Sequence, residues 1–228
     1  MNSEKGLLTY LKNKEYAEGA FIFGSYARNP EGKHNDIDVF VLINENWWKR
    51  ESKVINGIEH ELFYFPSEYA LNILKTEKDF NMAGWFMNTK IILDKNNSLS
   101  EFIPTAKEIV NKKLEEFDAE WWAYKIGDRL QDIEQEREDE TQKLFLMNCL
   151  LKEILFVFFL SKKILPVKEN YFVKKIAKLD PKLYSLINRF YESKQLNDKM
   201  AVLNKMIIQL NIGKPTTKLT TIKIELKD

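Results

Sequence analysis

Gly24-Ser25-Tyr26-Ala27-Arg28-Asn29-Pro30-Glu31-Gly32-Lys33-His34-Asn35-Asp36-Ile37-Asp38 is the stretch that decides the reading of this chain. The apolar run Ala20-Phe21-Ile22-Phe23 stands in front of it and Val39-Phe40-Val41-Leu42-Ile43 behind it. Short apolar runs bounded by Gly, Asn and Pro predict two strands joined by a polar connection. Side chains alternate along a strand, so Asp36 and Asp38 project from the same face. Neighbouring carboxylates repel unless a cation lies between them. A hard cation such as Mg²⁺ takes one or two carboxylates together with phosphate oxygens. Gly24 has no Cβ and lets the backbone approach a phosphate closely, while Ser25 adds a hydroxyl and an N–H. The segment offers a candidate phosphate cradle beside a candidate metal seat.

Outward from this stretch, Leu7, Leu8, Leu11 and Tyr16 have helical spacing and predict a first helix. Residues 44–56 read as a polar connection carrying Trp47 and Trp48. Ile58 to Phe65 reads as a third strand that stops at Pro66, with Ser67 opening a helix to about Lys75. Lys90 to Leu93 is a fourth strand, ended by the turn Asp94-Lys95-Asn96-Asn97. On the second strand Asp36, Asp38, Phe40 and Leu42 share a face, opposite Ile37, Val39, Val41 and Ile43. On the third, Glu59, Glu61, Phe63 and Phe65 share a face, opposite Ile58, His60, Leu62 and Tyr64. If helices cover the apolar face, the acidic face is the open one.

From Ser98 onward the character is helical. Residues 98–117, 118–138, 141–163 and segments from 168 to about 209 read as helices, and Trp122, Ile126, Leu130 and Ile133 form an amphipathic stripe. The tail, Leu219 to Leu226, alternates weakly and reads as a short terminal strand. The expected organisation is an α+β domain over residues 1–97, a small mixed sheet with helices on one face, followed by a helical domain over residues 98–228.

Charge and composition narrow the function classes. Lys plus Arg number 35 against 34 Asp plus Glu. A chain that grips duplex nucleic acid usually carries a basic excess, so a small substrate is favoured over a polynucleotide. The single Cys149, with two histidines, excludes an internal disulfide and a structural zinc site, and it is expected to be buried. The apolar run Leu144 to Leu160 is interrupted by Asn148, Lys152 and Glu153 and reads as too short and too polar for a membrane span. The N-terminus lacks a signal-peptide core, and the chain reads as cytoplasmic.

Gly24-Ser25, ten residues, then Asp36-x-Asp38 resembles the signature of nucleotidyltransferases of the DNA polymerase β superfamily, and Tyr26-Ala27-Arg28 strengthens the match. The layout of the whole chain is similar to that of aminoglycoside and lincosamide nucleotidyltransferases. The resemblance implies a polymerase β-like fold and a third carboxylate on a neighbouring strand. Glu61 is the first choice for it and Glu59 the second; Glu in place of the more usual Asp leaves open whether it is a metal ligand or a base. It further implies two Mg²⁺ ions held by Asp36, Asp38 and Glu61, with an NTP, ATP foremost, as co-substrate. Gly24, Ser25 and Arg28 would receive its phosphates, and Lys168 and Lys174 would reach them from the helical domain. Trp121 and Trp122, with Glu120 and Asp128, are the acceptor-pocket candidates.

The expected reaction is transfer of a nucleoside monophosphate to a hydroxyl of a small molecule, an aminoglycoside- or lincosamide-like antibiotic being the example, with loss of pyrophosphate. A protein adenylyltransferase of the minimal-nucleotidyltransferase antitoxin type and a non-catalytic nucleotide-binding module are the alternatives. No membrane partner is expected, and homodimerisation is left open.

Overall fold

The computed structural model describes residues 3–76, 80–136 and 138–218. The predicted terminal strand at 219–226 lies outside the described residues. The chain divides into two compact units, Met1–Glu115 and Glu116–Asp228.

The first unit is built on a five-stranded sheet of order β3-β4-β2-β1-β5: β1 Ala17–Phe23, β2 Asp36–Ile43, β3 Lys49–Ile55, β4 Ile58–Pro66 and β5 Lys90–Asp94. β2 and β4 pair in parallel and every other pair is antiparallel. Helix α1 (Ser3–Lys12) lays Leu7 and Leu11 on the apolar face, in one core with Ala20, Ile22, Ile37, Val39, Val41, Leu62 and Tyr64. The period-2 pattern demands this: a face of Val, Ile and Leu has to be covered, and the i, i+4 pair of α1 covers it. His60 is sealed on this same face, with Nδ1 3.0 Å from the Ile58 carbonyl.

Between β1 and β2 comes the single-turn helix α2 (Gly24–Arg28), and after β4 comes α3 (Ser67–Thr76). Four strands are expected from the sequence and the structure has five. The polar connection at 44–56 contains β3, which returns into β4 through Asn56-Gly57. Both residues have positive φ, 53° and 81°, the conformation of a two-residue hairpin turn, and Asn-Gly is its favoured sequence. β3 escapes a pattern search because it is an edge strand, and edges carry charge to resist pairing with other chains.

The second face of the sheet is divided. Its apolar end is covered by a 3₁₀ turn at Ala83–Phe86 and by α4 (Ser98–Glu115). Phe21 stacks on Phe40 at 4.9 Å, Phe40 on Phe102 at 5.5 Å, and Phe86 meets Phe102 edge-on at 5.6 Å. Asp94 starts α4 by accepting the Leu99 N–H at 3.0 Å, and Lys113 Nζ donates to the Leu74 carbonyl at 2.8 Å. These contacts put α4 in the first unit, so the division falls after Glu115 and not at residue 97.

The second unit consists of helices: α5 Ala119–Gln135, α6 Glu140–Ser161, α7 Phe172–Leu179, α8 Pro181–Glu192 and α9 Leu196–Leu210. Asp118, Asp139 and Asp180 each cap a helix start through backbone N–H groups. Ile126 and Ile133 of the predicted stripe are fully buried, and Trp122 and Leu130 pack beside them. By length and composition α6 is long and apolar enough to cross a membrane, contrary to the sequence expectation. In the structure it is the central helix of this unit, burying Leu150, Ile154, Val157, Phe158 and Phe159. Cys149 is half-buried and not sealed.

Two outcomes follow from these contacts. A Cβ on Gly127 would run into the Thr216 backbone, whose carbonyl carbon would lie 2.6 Å away. Backbone cannot yield as a side-chain tip does, so Gly127→Ala is expected to cost about 1–3 kcal/mol, read as a lowered thermal midpoint. Burial pushes the His60 imidazole below its ordinary range, against hydrogen bonds to the Ile58 and Lys53 backbone. The unfolded chain therefore takes up this proton first, and the stability that His60 supplies is full above about pH 6.5 and declines as the pH falls below it. Urea titrations between about pH 7 and pH 5 should show a smaller loss of stability in His60→Gln than in the parent.

Candidate active site

The first turn after β1 is shaped by one carboxylate. Gly24 has φ +74°, a region that favours glycine, and a Cβ there would collide with Asp38 Oδ2. Phe23, directly before it, is the register partner of Asp38. The glycine thus stands against the carboxylate, which is half-buried, while Asp36 is exposed. Ser25 and Arg28 on α2 are exposed. Ser25 Oγ lies 3.2 Å from His34 Nδ1, and His34 Nε2 lies 2.6 Å from the Asn29 carbonyl. The carbonyl only accepts, so Nε2 carries a proton; in the neutral ring Nδ1 is then the acceptor of the Ser25 hydroxyl. Tyr26 ties α2 to α1 by donating to Glu4 Oε1 at 2.9 Å, and Lys90 Nζ reaches the same oxygen at 2.6 Å. Burial raises the Glu4 carboxyl, but Lys90 and Tyr26 outweigh it and hold the group below its ordinary range.

The parallel register sets the remaining acids. Asp36 pairs with Glu59 and Asp38 with Glu61, and Glu61 in turn faces Ser52 of β3. Strands lie about 4.8 Å apart, so Asp38 and Glu61 are lateral neighbours on one face. That confirms the shared face read from the sequence and puts both candidates for the third carboxylate on it.

Both oxygens of Glu61 and one of Glu59 are already engaged. Arg50 Nη2 donates to Glu61 Oε1 at 2.7 Å and lies 2.8 Å from Oε2, and its guanidinium lies 5.3 Å from the Phe63 ring centre. Ser52 Oγ donates to Glu59 Oε1. Among the described residues, no three His, Cys, Asp or Glu side chains are drawn together as a metal-holding group. The two aspartates suit a hard cation in chemistry and spacing; Glu61 suits it in chemistry and faces Arg50. The Arg50 side chain is 61% exposed, and an exposed pair of this kind is worth roughly 0–1 kcal/mol, so it is easily exchanged.

Beside the acids the face becomes aromatic. Trp85 stacks on Phe23 at 4.7 Å and meets Phe63 at 4.9 Å. His60 lies on the opposite, covered face, which separates it from Glu61.

The other residues predicted for the site belong to the second unit. Lys168, just before a 3₁₀ turn at Glu169–Tyr171, and Lys174 on α7 are both exposed. Trp122 is turned into that unit's core against Phe156, at 5.8 Å, which removes it from the acceptor candidates. Trp121 is 39% exposed, and Glu120 and Asp128 are exposed. Arg50, Ser52 and His34 carry contacts that the sequence reading missed. The Asn56-Gly57 turn is the signal that would have brought Arg50 and Ser52 to the site.

Residues 5–98 match the family model for "Polymerase beta, Nucleotidyltransferase". They form a polymerase β-type nucleotidyltransferase domain. Over a longer span the chain is similar to the nucleotidyltransferase-like protein of Exiguobacterium sibiricum 255-15. That likeness has a TM-score of 0.58 at 15% identity and covers 92% of this chain and 74% of that one; it speaks for the fold. No curated protein matches the chain. The mixed sheet and the helices behind it are those expected of the nucleotidyltransferase fold.

Gly24→Ala tests the turn of this domain. The positive φ and the Asp38 contact together should cost about 1–3 kcal/mol in thermal or urea unfolding. In an Asp38→Ala background the collision is gone and only the backbone cost remains, so a double-mutant cycle should give a positive coupling between Gly24 and Asp38.

Proposed function

We propose that the chain transfers a nucleoside monophosphate from an NTP, ATP foremost, to a hydroxyl of a small molecule, releasing pyrophosphate. The observation that carries this reading is the placement of Asp36 and Asp38 on one face, with Gly24 held against Asp38, inside a nucleotidyltransferase domain. Gly24 makes room for the Asp38 carboxylate at the turn, and Ser25 and Arg28 are exposed beside it as the groups that would receive phosphates. Asp36 and Asp38 are the residues that would hold Mg²⁺, with Glu61 the third candidate. When bound, such a cation lowers the pKa of an attacking hydroxyl and offsets charge on the leaving pyrophosphate. The hydroxyl oxygen bonds to the α-phosphorus and the bridging P–O bond toward the β-phosphorus breaks. The acids of this face orient the reacting groups, and the half-exposed Trp85 and Phe63 offer an apolar wall next to them. The near-neutral charge, +1 overall, favours a small acceptor over a polynucleotide.

The test follows pyrophosphate release from ATP, GTP or CTP with Mg²⁺ against aminoglycosides, lincosamides, proteins and tRNA. Release is expected with a hydroxylated small molecule, and Asp36→Asn with Asp38→Asn should lower it roughly 100-fold or more. Release that survives the double substitution, or that appears only with protein or tRNA, overturns the proposal.

A further inference from the structure

We propose that Arg50 is a positioning residue that stands in for a divalent cation at Glu61 and gives way when one binds. This rests on the nucleotidyl-transfer reading above and adds to it a resident counter-ion. Asp38 and Glu61 are register partners on one face, and like charges so placed repel. The positive side chain that lies against Glu61 is Arg50, through its contacts of 2.7 and 2.8 Å to the two carboxylate oxygens.

Three features make the guanidinium exchangeable instead of structural. Both contacts come from one nitrogen, Nη2, so this is not the two-pronged clamp that Arg forms with a carboxylate at fixed sites. The Arg50 side chain is 61% exposed against 24% for Glu61, so the cation is wetter than its partner. β3 is an edge strand, so leaving Glu61 uncovers no core. The Phe63 ring, 5.3 Å from the guanidinium, gives it a second foothold. Arg50 can release the carboxylate, stay over the ring, and turn its charge toward a triphosphate. The same residue thus quiets the acids without metal and adds positive charge for the nucleotide with it.

A structural ion pair and a stand-in cation respond oppositely to charge removal. Arg50→Gln keeps a hydrogen-bonding side chain and removes the charge; Arg50→Ala is the second variant, and circular dichroism with thermal melting confirms that each is folded. Mn²⁺ is titrated into nucleotide-free protein and free Mn²⁺ is followed by electron paramagnetic resonance. Both variants are expected to bind Mn²⁺ about 3- to 5-fold more tightly than the parent, the range of an exposed ion pair. Fluorescent ATP in the presence of Mn²⁺ should bind them more weakly. Equal or weaker Mn²⁺ binding in the variants, absence of binding in all three proteins included, overturns the role of Arg50. The parent reading fails by a different measurement: Asp36→Asn with Asp38→Asn retaining Mn²⁺·ATP binding as tight as the parent's would remove the site itself, whatever Arg50 does.

Discussion

The parallel pairing of β2 with β4, in the register that sets Asp38 beside Glu61, is the constraint on which the first unit depends. Side chains alternate with a period of two, so a slip of one residue would exchange the faces of β4. Glu59 and Glu61 would then enter the core under Leu7 and Leu11, and Leu62 and Tyr64 would face water. A carboxylate buried without a partner costs several kcal/mol or forces protonation, far more than one hydrogen bond of the ladder returns. Burial of the Val, Ile and Leu face and placement of the acids are therefore one decision. What stabilises the sheet also assembles the candidate site.

The same face serves two purposes along its length. At one end Asp36, Asp38, Glu59 and Glu61 are open to charge; toward the other, Phe40 and its aromatic neighbours are sealed by α4 and the 3₁₀ turn at Ala83–Phe86. Phe23, Phe63 and Trp85 stand where one regime gives way to the other. The covered end holds the strands rigid enough that the acids at the open end keep their spacing. An active face needs that rigidity, because a carboxylate misplaced by about 1 Å forfeits much of its effect.

Features written in adjacent residues were legible in the sequence. The Gly24 turn, the Asp36 and Asp38 pair, the alternation of β2 and β4, the Asp94 turn and the stripe on α5 each follow from local spacing. Features that depend on what lies across the fold were not. β3 looks like a polar loop because four of its seven residues, Lys49, Arg50, Glu51 and Lys53, are charged; its strand character comes from pairing with β4. The helical composition of residues 98–115 suggested a boundary at 97, yet Phe102 meets Phe40 and Phe86, and packing outranks composition. Trp122 has the chemistry of an acceptor wall and the position of a core residue, and only its neighbours tell which. For α6, hydropathy describes an apolar helix equally well at the centre of a bundle or in a bilayer.

Glu61 stands beside Asp38, and the geometry of β3 gives a physical reason for its long side chain. Arg50 is not directly opposite Glu61 but one step diagonal to it, since Arg50 pairs with Phe63 and Ser52 with Glu61. Diagonal neighbours across two strands are about 7–8 Å apart, within reach of two long side chains and hard for a short one. A glutamate spans that gap to the guanidinium at 2.7 Å; an aspartate, one methylene shorter, would be left facing Ser52. The second acid of the strand follows the opposite logic. Glu59 pairs diagonally with Ser52, a neutral partner that hydrogen-bonds without cancelling charge. Among the described residues, the one of these two glutamates that a cation neutralises is Glu61, and its register partner, Asp38, lies against the Gly24 turn. The longer arm is what lets Arg50, one step along the neighbouring strand, neutralise the carboxylate that stands next to Asp38.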